Sequence, residues 1–211
     1  MYHHAEFGLF LKPLFVVHLK ASSLLNVLFI LSQENNSVKC RDFGFFHIIK
    51  RKEACNLTYQ RAKAVAYAHK WAFLRNPAYY NFDDLGGDCT NFISQCLFAG
   101  AGVMNYTRET GWYYSSASNR AAAWTGVEFL FRFLTNNRGP GPFAEELPLS
   151  HAAAGDVIQL SFDGAVFSHS LLIVEESGLL VATHTQDADY RPLNTYSFVR
   201  SRLLHIEGVR R

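Results

Sequence analysis

Apolar residues recur at helical spacing three times in the middle of the chain and then give way to short β-like runs. Tyr59, Ala62, Ala66, His69 and Phe73 form one stripe, from a cap at Asn56 or Thr58 to a stop at Pro77. Phe92, Ile93, Cys96 and Leu97 form a second behind Thr90 and Asn91, with Gly100 as its stop. Trp124, Val127, Phe131 and Leu134 form a third between Asn119 and Gly139-Pro140. The first and third stripes read as core, with His69 a buried or half-buried structural histidine. Thereafter Asp156 to Phe162, Phe167 to Val174, Leu179 to Thr185 and Arg202 to Ile206 are short, apolar and bounded by turn residues, which predicts successive strands of an antiparallel sheet. The fold class is therefore α+β. Asn105 to Ser118 and Arg138 to Pro148 read as irregular connections.

Composition fits one catalytic domain: 211 residues with 49% hydrophobic content suffice for a single well-packed core. A net charge of +2 without any dense Lys/Arg run leaves no electrostatic footprint for nucleic acid. Residues 7–31 are apolar, but Lys12, Pro13, His18 and Lys20 interrupt them, so no run approaches the length of a bilayer span and no firm membrane association is expected. A clear secretion signal is also lacking. Residues 1–50 thus read as an apolar extension of unsettled status and 51–211 as the domain. The cysteines at 40, 55, 89 and 96 show neither zinc-finger spacing nor the density of a disulfide scaffold. Cys40 and Cys55 read as incidental and Cys96 as packing. With no C-x-x-C or H-E-x-x-H pair, no metal or other cofactor is expected.

Cys89 is the residue that carries chemistry. It follows Gly86-Gly87-Asp88 at a predicted helix start, where free N–H groups and the helix dipole favour a thiolate. Such a helix is expected to keep its first turn at the surface and to bury its later turns. Cys89 read alone is more often a small core hydrophobe. A nucleophile needs a base and the base an orienter, and the final strands supply candidates. If pairing is symmetric about the Glu175-Glu176-Ser177-Gly178 turn, Leu172 faces Val181 and His169 faces His184 on one side of the hairpin. A one-residue slip would break that opposition. Asp187 is the competing orienter.

The runs Gly87 to Gln95, Gly155 to Leu160, Phe167 to Val174 and His184-Thr185-Gln186-Asp187, with Pro192-Leu193 behind, resemble papain-like amidases and peptidases of the NlpC/P60 and CHAP type. They most closely resemble the bacterial putative amidase domain, over about Leu57 to Ile206. The resemblance implies a papain-like α+β fold in which a nucleophile-bearing helix packs on a small antiparallel sheet. It implies a catalytic Cys89, with His169 as base and His184 as orienter, acting on an amide bond through a thioester acyl-enzyme. Thr90-Asn91 departs from the Ser-Gly usual in NlpC/P60 proteins, which leaves the Cys89 backbone N–H as the safest oxyanion donor. Asp88, Tyr80 and Trp112 are further oxyanion or cleft candidates. The implied substrate is a peptide or peptidoglycan stem, and the implied location the cell envelope or exterior. An acyltransferase using the same site and a non-catalytic envelope or partner-binding module are the alternatives.

Overall fold

The computed structural model describes residues 56–211. The expectations for residues 1–50, Cys40 and Cys55 lie outside them. The first segment pairs a short strand β1 (Asn56–Leu57) with the chain's last strand, then forms α1 (Arg61–Trp71) and α2 (Cys89–Ala101). After a long loop come α3 (Ala122–Thr125) and α4 (Val127–Asn136). Next are β2 (Gly141–Leu147), β3 (Val157–Ser161), β4 (His169–Glu175), β5 (Leu180–Thr183), β6 (Ala188–Pro192) and β7 (Arg200–Arg210). No helix among the described residues is long and apolar enough to cross a membrane.

All pairings in the sheet are antiparallel, in the order β7-β3-β4-β5-β6, with β1 and β2 both on β7. Its alternating side chains serve two cores. Val157, Leu172, Ala182 and Leu204 pack with the helices. Ile158, Leu171, Ile173 and Leu203 point the other way and pack with Leu193 and Tyr196.

Several elements differ from the sequence expectation. The buried face of α1 is Ala64 and Ala68, continued by Ala72, whereas Phe73 is exposed. Alanines at this spacing let α1 approach α2 closely; of the expected stripe Tyr59 is in the core, whereas Ala62 and Ala66 are exposed. The third helix is broken at Gly126 into α3 and α4, whose buried residues are Ala123, Trp124, Leu130, Phe133 and Leu134. Strand β2 occupies the Gly/Pro-rich connection: Pro142 is tolerated on it, and half of its residues are not buried, which hides a strand from an apolar-run reading. Strand β6 is likewise mostly polar.

Helix α2 continues past Gly100 to Ala101, and its left-handed cap is Gly102 (φ 67°). Gly100 serves packing instead: a Cβ there would run into the Tyr59 ring, and the Gly100 carbonyl accepts from the Gln60 N–H at 3.0 Å. Gly100→Ala is therefore expected to lose about 1–3 kcal/mol of stability through overpacking. In urea unfolding the midpoint should fall with an unchanged slope.

Candidate active site

The chain enters α2 through two residues that only glycine suits, Gly86 (φ 99°) and Gly87 (φ 104°). A Cβ on Gly87 would lie 3.0 Å from Thr185 Oγ1. That hydroxyl accepts the Asp88 backbone N–H at 3.0 Å. Thr185 itself has φ 80°, a left-handed conformation that a β-branched residue rarely adopts. The loop after β5 is thus locked against the loop before α2, with local strain in the lock.

Asp88 does not cap α2 with its side chain. It is 1% exposed, and its carboxylate is taken up elsewhere. Oδ1 accepts from the Phe82 backbone N–H (2.9 Å) and the Asn91 side-chain amide (2.8 Å), while Oδ2 meets His184 Nδ1 at 2.6 Å. His184 Nε2 donates at 2.9 Å to the Trp71 carbonyl at the end of α1, which also accepts the Leu74 N–H at 3.0 Å. Its ring stacks on Phe92 with centroids 4.0 Å apart. With one nitrogen facing a carbonyl and the other a carboxylate, neither is open to a substrate. His184 therefore ties the end of α1 to the start of α2.

The expected opposition of His169 and His184 is not how the strands pair. Leu172 pairs with Ala182 and Ile173 with Val181, one residue away from the symmetric register, with an irregularity before Glu175. A one-residue slip sends alternate side chains to opposite faces. His184 consequently lies on the helix side against Phe92, while His169 lies on the other side near Phe162 and Tyr196. Its Nε2 is 3.5 Å from Thr183 Oγ1, which shares that face. Asp187 meets neither histidine. It pairs with Arg75 (2.9 Å), which also holds Asp83 (2.7 Å) and reaches to 3.8 Å from Asp88.

Cys89 is 7% exposed, and Thr90 and Asn91 are 1% exposed, so the first turn of α2 is buried rather than at the surface. The helix is enclosed on all sides because each of its polar side chains finds a partner. Thr90 meets Ser170 (3.1 Å), Asn91 accepts from Trp124 Nε1 (2.9 Å), Ser94 accepts from Trp112 Nε1 (3.0 Å) and Gln95 accepts from the Tyr67 hydroxyl (2.7 Å). Burial pushes the Cys89 thiol up from its ordinary value, against the backbone amide of Ser170 and the hydroxyl and amide of Thr90, which favour the thiolate. The resting group is a thiol, not the preformed thiolate expected from the helix terminus alone. Cys96, fully buried on the same helix, is pushed up well above its ordinary value by burial.

Burial, aided by the Arg191 charge, draws His169 down to about 4, so its imidazole is neutral near pH 7. Among the described residues the Cys89 sulfur makes no hydrogen bond to either histidine; its side-chain neighbour is Thr90 Oγ1 at 3.7 Å. The Ser170 amide beside the sulfur belongs to the residue that follows His169. Trp112, expected at a cleft, is fully buried and stacks with Phe133 behind α2. Tyr80 is 47% exposed, and its carbonyl accepts from Asn91. Asp88 is a buried anchor, not a cleft wall. Arg75, Thr183 and Thr185 escaped the sequence reading because nothing local distinguishes an arginine or threonine that meets its partners across the fold. Cys89, His169, His184 and Asp187 do not converge as metal ligands, and no cluster of that kind occurs among the described residues.

Cys89 thus opens α2 and His169 opens β4, with a depression before the histidine. The family described as a putative amidase domain matches residues 58–206, and the chain belongs to it. The Uncharacterized protein YhbB of Bacillus subtilis (strain 168) is 35% identical over 137 residues. That match covers 63% of this chain but 43% of the relative, so the chain spans less than half of that protein's length. No solved structure matches. The family description indicates a hydrolase of amide bonds.

Asp88→Ala would strand the His184, Phe82 and Asn91 donors in the interior. It is expected to cost about 3–5 kcal/mol, the range for breaking a buried pair, measurable by denaturant unfolding. Acid stability offers a second check. An unfolded histidine takes up a proton below about 6.5 and His169 only below about 4, so acidification between those values favours the unfolded chain. Between about pH 7 and about pH 4.5 the native protein should lose about 2.5 kcal/mol more stability than His169→Gln, which cannot take up that proton.

Proposed function

We propose that this domain is a cysteine-dependent amidase of papain-like type, with Cys89 as nucleophile and His169 as general base. The observation that carries the reading is the environment of Cys89. Its sulfur sits at a helix N-terminus left uncapped by Asp88, among amides that favour the thiolate, and beside the strand start that bears a neutral imidazole.

The Thr183 hydroxyl gives its hydrogen to main-chain carbonyls, those of Ser170 at 2.8 Å and His184 at 3.1 Å. It therefore presents a lone pair to His169 Nε2, which favours the Nε2–H tautomer and leaves Nδ1 free to accept a proton. In this mechanism Thr183 orients the base, and His184 acts through Asp88 on the position of Cys89. The mechanism requires the thiol and imidazole to come into hydrogen-bond reach when substrate binds, as catalytic contacts tighten in the Michaelis complex.

Nδ1 takes the Sγ proton as sulfur attacks the amide carbonyl carbon. The oxyanion forms against the Cys89 backbone N–H, which has no protein acceptor among the described residues. Collapse breaks the C–N bond, His169 returns the proton to the leaving amine, and a thioester remains. Water, deprotonated by His169, then attacks the thioester, releasing the carboxylic acid and restoring the thiol. The resting pair is neutral, so rate follows deprotonation of His169 rather than formation of an ion pair. The resemblance of its motifs to those of NlpC/P60 and CHAP enzymes favours a peptide or peptidoglycan stem as substrate, at the cell envelope.

Acylation by a short N-acylglycine p-nitrophenyl ester, located by peptide mass spectrometry, tests the reading. The acyl group is expected on Cys89, with no labelling in Cys89→Ala. Loss of the base in His169→Ala should slow acylation by about 100- to 10,000-fold. The native rate should rise through about pH 4 and then level off. Acylation elsewhere, or equal acylation of Cys89→Ala, would overturn the assignment.

A further inference from the structure

In front of His169 lies an open depression of about 420 Å³ whose walls include Phe162, Thr185, Arg191 and Tyr196. Its lining holds one permanent cation, Arg191, and no acidic residue. The guanidinium is held in place without being neutralised. Arg191 Nε donates to Thr195 Oγ1 at 2.9 Å, Nη2 reaches the Thr195 carbonyl at 3.3 Å, and the group lies over the Tyr196 ring at 3.9 Å from its centroid. Among the described residues it has no carboxylate partner, whereas Arg61, Arg75 and Arg202 each have at least one. The Tyr196 hydroxyl is itself covered from solvent, with Arg191 as its charged neighbour.

We propose that this depression is a carboxylate-binding subsite, in which Arg191, stacked on Tyr196, pairs with a free carboxylate of the ligand. A guanidinium fork matches a carboxylate in shape and charge, and stacking on Tyr196 fixes its plane in advance. This rests on the amidase reading only in naming the ligand a substrate: because His169 lines the same depression, the scissile amide lies within a residue or two of a free carboxylate. Short peptides with a free C-terminus, or stems carrying an acidic residue beside the cleaved bond, satisfy this. Uncharged amides do not.

The test uses the full chain carrying Cys89→Ala, so that nothing is turned over, and follows the His169 ring resonance by NMR, assigned by its absence in His169→Gln. N-acetylglycylglycine is titrated against its C-terminal amide. The acid is expected to shift the His169 resonance and bind at least about tenfold more tightly than the amide. Arg191→Met should abolish that preference, and Arg191→Lys should keep part of it. Equal binding of acid and amide, an Arg191→Met protein that still prefers the acid, or no response of His169 to either probe would overturn the proposal. The two readings fail separately. An Arg191-dependent preference without acylation of Cys89 would remove the amidase mechanism and leave the subsite standing. Acylation of Cys89 without the preference would do the reverse.

Discussion

Taking the Asp88 carboxylate out of water is costly unless its oxygens are fully engaged, and the way they are engaged organises the site. One oxygen collects the Phe82 main chain and the Asn91 amide; the other collects His184, whose far nitrogen holds the last carbonyl of α1. A single carboxylate thus fixes the loop before α2, the first turn of α2, the end of β5 and the end of α1. Turned inward, it also leaves the first N–H groups of α2 without a side-chain cap, which is the property a nucleophile at that position requires.

The same demand for satisfaction runs along α2. Thr90, Asn91, Ser94 and Gln95 look like the wet face of an amphipathic helix, yet each is buried against a specific partner on the sheet or on a neighbouring helix or loop. Enclosing the helix has an electrostatic consequence. Burial raises the Cys89 thiol and lowers the His169 imidazole, so both are neutral at rest. Under the proposed mechanism, proton transfer is then deferred to the moment of attack.

Local patterning was a good guide where burial is carried by large apolar side chains and a poor one elsewhere. The strands at 157–161 and 180–183 lie within the predicted runs, that at 169–175 overruns its run by one residue, and α2 begins at Cys89, because Val, Ile and Leu alternation and a Gly-Gly turn are local signals. The face of α1 was misread because its seam is alanine, and β2 and β6 were missed because edge positions carry polar residues and proline. The turn after β4 was located, but its register was not. A shift of one residue at an irregularity costs little locally and reverses which face each histidine serves.

The sequence by itself determined the inventory: a cysteine behind two glycines at a helix start, two histidines on neighbouring strands, and enough apolar residues for one core. It did so because turn glycines, helix starts and strand periodicity are encoded by neighbours in the chain. The tertiary structure alone decided how these groups are employed. It set His184 on Asp88 and not on His169, placed Thr183 beside His169, buried Trp112 and left Arg191 without a counter-charge. These are contacts between residues distant in sequence, chosen by strand register and by the need to satisfy each buried polar group, and no local pattern records either.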